Sequence, residues 1–306
     1  MNLNLNNRSL FSLDDLSARE IHGLLGMASE LAQARRTGRE QPRLRGKRIA
    51  LLFEQAAARS PDVLEGAVDD QGATLSLLGP DEPPLGGGHE VRDAARVLGR
   101  LYDAIECRGF APATVRELAQ HAGVPVYDGL TRPFHPTQVL ADCLTMQAHG
   151  AGRPLAQLRL AYVGDAHPPI GDSLLQGAAL LGLDFRIGAP QALWPPQALI
   201  DAARHKAQHS GARLRLTESA AEAVQGADFI YTNAWAEPIA ALQGYRVDAE
   251  LLRASGNPAI KLLHGQAERH GAEVSDEVFV SQACLVADQA ANRLHAIKAL
   301  LVATLA

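Results

Sequence analysis

Apolar residues recur along this chain in two alternating rhythms. From Ser12 to Ala34, the residues Leu16, Ile21, Leu24, Leu25, Ala28 and Leu31 approximate one face at helical spacing, and Ser12 is placed to cap, which predicts a helix. A basic turn, Arg43-Leu-Arg-Gly-Lys-Arg48, leads into Ile49-Ala-Leu-Leu-Phe53, a short unbroken apolar run suited to a strand buried in a parallel sheet. The alternation continues with a strand over Thr74–Leu78, a helix over Val91–Tyr102, a strand over Ala104–Cys107, a helix over Ala113–Ala122 and a strand over Val124–Tyr127. A long helix from Pro136 to Gln147 leads to Gly150-Ala-Gly-Arg-Pro154, a break in the pattern, after which the alternation restarts. Strands are expected at Leu158–Val163, Asp184–Ile187, Arg213–Leu216, Phe229–Tyr231 and Ile260–Leu263, and helices at Asp172–Leu181, Pro196–Ser210 and Gln289–Leu305.

Two such series joined by a helix predict an α/β protein with two doubly wound parallel-sheet domains and a ligand cleft between them. The expected division is 1–148 together with the last helix, 288–306, and 149–287. The 306 residues are enough for two domains of about 150 residues each. A net charge of −5 excludes a broad basic surface for nucleic acid. No apolar run approaches the ~20 residues of a membrane span, and the start lacks the apolar stretch of a secretory signal. The three cysteines are far apart and odd in number, with no pair at metal-ligand spacing. A soluble, reduced, cytoplasmic protein without a metal is expected. A dinucleotide cofactor is rejected, because Tyr162-Val-Gly-Asp165 runs into Ala-His167-Pro168-Pro169-Ile-Gly171, which lacks the GxGxxG spacing and whose prolines remove backbone donors.

Candidate chemistry gathers at strand ends. Arg59 and Ser60 lie where the first strand gives way to a helix N-terminus, a place that favours an anion. Arg108 ends the next apolar strand, at the edge where open parallel sheets bind ligands. In Arg132-Pro-Phe-His135-Pro-Thr-Gln138, His135 and Gln138 share one face across the first turn of the linking helix. Arg293 follows Asp288-Gln-Ala-Ala-Asn at the start of the terminal helix. In the second half, the strand ends read Tyr231-Thr-Asn233-Ala-Trp235-Ala-Glu237-Pro238 and Leu263-His264-Gly265-Gln-Ala-Glu-Arg269-His270.

These segments together resemble the ornithine/aspartate carbamoyltransferase family, and specifically its ornithine branch. The likeness spans essentially the whole chain and is strongest at Ala95-Arg-Val-Leu-Gly-Arg-Leu-Tyr-Asp-Ala-Ile-Glu-Cys-Arg-Gly-Phe110, Phe134-His-Pro-Thr-Gln-Val-Leu-Ala-Asp-Cys-Leu-Thr-Met-Gln147, Gly226-Ala-Asp-Phe-Ile-Tyr-Thr232 and Asp288-Gln-Ala-Ala-Asn-Arg-Leu-His295. The resemblance implies a carbamoyl-phosphate-binding domain, with the C-terminal helix packed back on it, and an amino-acid-binding domain, assembled as a homotrimer. It assigns Arg59, Ser60, Arg108, His135, Gln138 and Arg293 to carbamoyl phosphate, with Arg108, His135 and Arg293 catalytic. The family's Ser-Thr-Arg-Thr-Arg loop falls on Ala57-Ala-Arg-Ser-Pro61, which keeps one arginine and one hydroxyl, and the loop that supplies a neighbouring subunit's Gln reads Pro83-Pro-Leu-Gly86.

The acceptor half departs further. The family's Asn-Asn is Pro168-Pro169, its acceptor-binding Asp is Asn233, its Ser-Met-Gly is Glu237-Pro238-Ile239, and its His-Cys-Leu-Pro is His264-Gly-Gln-Ala267. His167, Asn233, Glu237 and His264 are the expected acceptor residues, with Arg269 and His270 nearby. The leading expectation is transfer from carbamoyl phosphate, or use of another phosphate-containing anion, with an amine acceptor other than ornithine. Two alternatives stay open: a non-catalytic homologue that binds an anion or a partner, and an ordinary ornithine carbamoyltransferase of arginine biosynthesis.

Overall fold

The computed structural model describes residues 3–55, 63–80, 89–129, 134–166, 169–235, 239–265 and 271–306. Among these, the strands are β1 (Arg48–Phe53), β2 (Thr74–Leu78), β3 (Ala104–Arg108), β4 (Val126–Asp128), β5 (Arg159–Val163), β6 (Asp184–Gly188), β7 (Arg213–Thr217), β8 (Phe229–Thr232) and β9 (Lys261–His264). The helices are α1 (Ala18–Arg36), α2 (Val63–Asp70), α3 (His89–Leu101), α4 (Pro112–Ala122), α5 (Pro136–His149), α6 (Ile170–Leu181), α7 (Gln197–Ser210), α8 (Ala220–Val224), α9 (Ala249–Ala254), α10 (Asp276–Phe279) and α11 (Val286–Leu305). No described helix is long and apolar enough to cross a membrane.

The chain divides into two compact units, 1–140 with 292–306, and 141–291. The changeovers therefore fall inside α5 and α11, the first of them ahead of the Gly150–Pro154 break. Unit 1 holds a parallel sheet in the order β2-β1-β3-β4, with Ile49 opposite both Leu75 and Ala104. β1 is buried along all but its first residue, which explains why it reads as an unbroken apolar run. Ala50 and Leu52 pack with Val91, Ala95 and Leu98 of α3 and Val115 and Leu118 of α4. Unit 2 holds a parallel sheet in the order β7-β6-β5-β8-β9. One of its faces packs Ala161, Val163, Ile230 and Leu262 against Ala220 and Val224 of α8.

The C-terminal helix does pack back on unit 1. Leu5 N donates to Ala303 O at 3.1 Å, Asn7 N donates to Thr304 O at 3.0 Å, and the Tyr127 and Thr304 hydroxyls lie 2.5 Å apart. Lys298 of α11 is fully buried and pairs with Glu40 at 2.9 Å and Asp70 at 2.5 Å, the compensation a charge at that depth requires. The start of the chain corrects one expectation. Ser12 caps only a short 3₁₀ turn, Leu13–Asp15, and Leu16 is extended at φ −121 and ψ 146. The helix proper begins at Ala18. Its Ser17 hydroxyl accepts from Glu20 N at 3.3 Å, while the Glu20 carboxylate accepts from Ser17 N at 2.7 Å.

Candidate active site

In an open parallel sheet, ligands bind beyond the carboxyl ends of the strands at the point where the winding reverses. In unit 1 that point lies between β1, from which the chain winds out to β2, and β3, from which it winds the other way to β4. Phe53 and Arg108 are in register there, and Glu54 N donates to Arg108 O at 3.0 Å. Arg108 is only 1% exposed, so its guanidinium needs a counter-charge. Glu106, two residues earlier and hence on the same face of β3, supplies it. Its Oε1 accepts from Arg108 Nε at 2.8 Å and lies 2.7 Å from Nη2.

His135 sits one residue before α5, whose first residue is Pro136, and Gln138 follows in the first turn; both are buried. The His135 Nε2 is 3.5 Å from Arg293 Nη2, and its Nδ1 is 3.5 Å from Thr137 Oγ1. Burial, together with the positive charges of Arg293 and Arg108, holds the imidazole down to about 3, so it is uncharged at neutral pH. Arg293 Nε is buried without a hydrogen-bond partner among the described residues, an N–H positioned for an acceptor. The structure thus brings together Arg108, His135 and Arg293, with Gln138 beginning the same helix. Arg59 and Ser60 lie outside the described residues, as does the Pro83–Gly86 loop. A buried guanidinium, a half-buried one and a neutral imidazole suit an oxyanion or a polarised carbonyl.

In unit 2 the reversal lies between β5 and β8. Thr232 Oγ1 ties the two ends together by donating to Val163 O at 2.8 Å. Gly164 follows with φ +104, and a Cβ there would lie 2.5 Å from Trp235 Nε1, so glycine lets the indole close over the strand end. Trp235 Nε1 and Asn233 Oδ1 are both buried without partners among the described residues. A Cβ at Gly265 would lie 2.6 Å from Asn233 Oδ1 and 3.3 Å from Ile170 Cγ1; the Asn233 carboxamide fills the space a side chain at 265 would take. Asp172, in the first turn of α6, is 3% exposed with Oδ1 unpartnered among the described residues, and burial raises its carboxyl to about 6.

His264 ends β9 in register with Thr232 and is tied to other residues of unit 2. Its Nε2 is 3.1 Å from Glu273 Oε1, both side chains are buried, and its ring meets Phe279 edge to face. Burial pushes the Glu273 carboxyl up, but the hydrogen bonds from His264 and from the Glu273 and Gly271 backbone N–H groups outweigh it and hold it below the usual range. His264 N donates to Gln289 Oε1 at 2.9 Å, and Gln289 Nε2 donates to Asp142 Oδ1 at 2.7 Å. His167, Pro168, Glu237, Pro238, Arg269 and His270 lie outside the described residues.

Sequence reasoning passed over Glu106, Asp172 and Trp235. The visible signal for Glu106 was its i, i+2 spacing from Arg108; nothing in the sequence marks the burial of Asp172. No group of three or more metal-ligating side chains is found among the described residues. Cys107, Cys143 and Cys284 are free thiols, and burial pushes all three up.

A family model described as the carbamoyl-P binding domain of aspartate/ornithine carbamoyltransferase matches residues 8–148, and one described as the Asp/Orn binding domain matches residues 156–304. An ornithine carbamoyltransferase from Pyrococcus furiosus is similar with a TM-score of 0.92 and 31% identity, over 99% of this chain and 98% of its own. One from Gloeobacter violaceus is similar with a TM-score of 0.86 and 34% identity, over 98% of this chain and 99% of its own. One from Thermus thermophilus has a TM-score of 0.85 and 34% identity, over 97% of this chain and 99% of its own.

Proposed function

We propose, for a chain that belongs to the aspartate/ornithine carbamoyltransferase family, transfer of a carbamoyl group from carbamoyl phosphate to an amine other than ornithine. In that reaction the lone pair of a neutral amine forms a bond to the carbamoyl carbon. The bond from that carbon to the phosphate oxygen then breaks, its electron pair leaves with phosphate, and the amine proton is released to the leaving phosphate. Charge grows on the carbonyl oxygen and the departing phosphate, and fixed donors aimed at growing charge are usually the largest catalytic contribution. Arg108 serves both oxygens in this reading, Arg293 the phosphate with its unpartnered Nε–H, and His135 adds a hydrogen bond without a charge. Arg59, Ser60 and Gln138 complete the carbamoyl phosphate site, and neither a metal nor a cofactor takes part.

The acceptor half rests on one observation: the neutral Asn233 carboxamide packs into the space beside Gly265, so those positions present neither a carboxylate nor a thiol. Asn233 cannot pair with an ammonium as a carboxylate does. His167, Glu237 and His264 are the further acceptor-side residues of the proposal. The assembly is a homotrimer, and the compartment is the cytoplasm, supported by three free thiols.

A second reading, plain ornithine carbamoyltransferase, is favoured by 34% identity to the Gloeobacter protein over nearly the whole chain. One assay separates the two. Phosphate release from carbamoyl phosphate is followed with a panel of amines, and citrulline formation at saturating ornithine is compared with a relative carrying intact Ser-Thr-Arg-Thr-Arg and His-Cys-Leu-Pro motifs. The expected result is release with a different amine and ornithine turnover at least ~100-fold below the relative, the scale of loss for a misplaced nucleophile. Comparable citrulline turnover restores the second reading. Carbamoyl phosphate binding without release for any amine makes the chain a non-catalytic homologue.

A further inference from the structure

We propose that Glu106 is a positioning residue that fixes the guanidinium plane of Arg108, and that Gly129 is the residue that gives it room; this rests on the reading of Arg108 as a carbamoyl phosphate ligand. Both partners stand on β3, which is paired on one side with β1 and on the other with β4, so their backbones are held by the sheet. One carboxylate oxygen, Oε1, receives the Nε edge of the guanidinium at 2.8 Å and lies 2.7 Å from Nη2. Taking that edge stops rotation at the end of a long side chain and sets which way the Nη1–Nη2 edge faces. The side chains are 1% and 8% exposed, so water does not compete for the contact.

The carboxylate occupies the space over Gly129, the residue after β4. A Cβ there would lie 2.3 Å from Glu106 Oε1, 2.8 Å from Cδ and 2.9 Å from Cγ. Gly129 N donates to Cys107 O at 3.1 Å, which fixes its backbone against the strand bearing Glu106. Gly129 is not among the residues in the left-handed region, so alanine meets no backbone penalty there. A methyl group at 129 therefore acts on the Glu106 carboxylate and leaves the chemistry of residue 106 unchanged.

Charge and position make opposite forecasts here, which makes the proposal decisive to test. A carboxylate against an anion-binding arginine lowers anion affinity by Coulomb repulsion alone, so its removal tightens binding if charge is all that matters. If it holds the guanidinium in place, its removal weakens binding.

The test titrates the full chain with inorganic phosphate by calorimetry and follows the arginine Nε–H signals by NMR, with Arg108→Lys identifying the Arg108 signal. The expected result is that Glu106→Ala and Gly129→Ala each weaken phosphate binding roughly tenfold or more, as loss of positioning does. Both also turn a slowly exchanging Arg108 Nε proton into a fast one, while the isosteric Glu106→Gln, which keeps an acceptor oxygen, stays near wild type in both. Phosphate binding as tight as or tighter than wild type in Glu106→Ala and Gly129→Ala overturns the proposal, as does an Arg108 proton that stays protected in them. Equal binding by wild type and Arg108→Ala fails the anion-site reading instead, and the exchange measurement still decides whether Glu106 holds Arg108.

Discussion

At His135, burial and two neighbouring arginines act in the same direction, and the result is a histidine that does not titrate near neutrality. Its folded value, about 3, lies below the ordinary 6.5. Between those values the unfolded chain binds a proton that the folded chain refuses, so stability falls as pH drops from 6.5 toward 3. His135→Gln should remove up to about 1.4 kcal/mol per pH unit of that slope, read from denaturation midpoints between pH 4 and 7. Asp172 has the opposite sign. Its carboxyl is raised from 3.8 to about 6, so its contribution is most favourable below 3.8 and is lost as pH rises to 6 and beyond. Asp172→Asn should stabilise the protein by about 1–3 kcal/mol at pH 7 and by almost nothing at pH 4, as two melting curves would show. Arg108 was legible because it ends a readable strand and His135 because it opens a readable helix, whereas Arg293, inside α11, was legible only through the family resemblance. The Glu106 carboxylate over Gly129 was not, because it depends on two adjacent strands bringing together positions 23 residues apart.

Helix packing in unit 1 sets a contrast between two glycines. A Cβ at Gly99 of α3 would lie 1.7 Å from Ala122 O at the end of α4, a backbone atom that cannot swing aside. Gly99→Ala should prise α3 from α4 at a cost of about 3 kcal/mol or more, beyond the usual overpacking range because backbone must move. Gly26, inside α1, meets nothing within 4 Å, and Gly26→Ala should stabilise by up to about 1 kcal/mol through helix propensity alone. Urea titrations of the two variants check both signs. Elements with long periodic patterns, such as α7 and α11, were legible to within a few residues. The Ser12 start was not, because two serines five residues apart each cap: Ser12 closes a capping box with Asp15 on a separate 3₁₀ turn before Ser17 opens the helix. The short helices α9 and α10 carry too few turns for periodicity to declare them.

For the whole molecule, the proposed homotrimer predicts a light-scattering mass of three times 32.6 kDa at micromolar concentration. A monomer mass would remove the assembly from the proposal. The two-sheet architecture was legible because each strand–helix alternation restarts after a break. The compact units change over inside continuous helices, at 140/141 and 291/292, where no local composition shift marks them. That arrangement has a consequence for synthesis. Residues 292–306 belong to unit 1 but leave the ribosome after every residue of unit 2. Buried Lys298, which pairs with Glu40 and Asp70, arrives among them; Asp70 already has Arg35, but Glu40 waits for that cation while the whole of unit 2 is translated. The half of the protein made first is therefore the half that finishes folding last, and a released chain ending at residue 291 should hold a protease-resistant unit 2 and an unfinished unit 1.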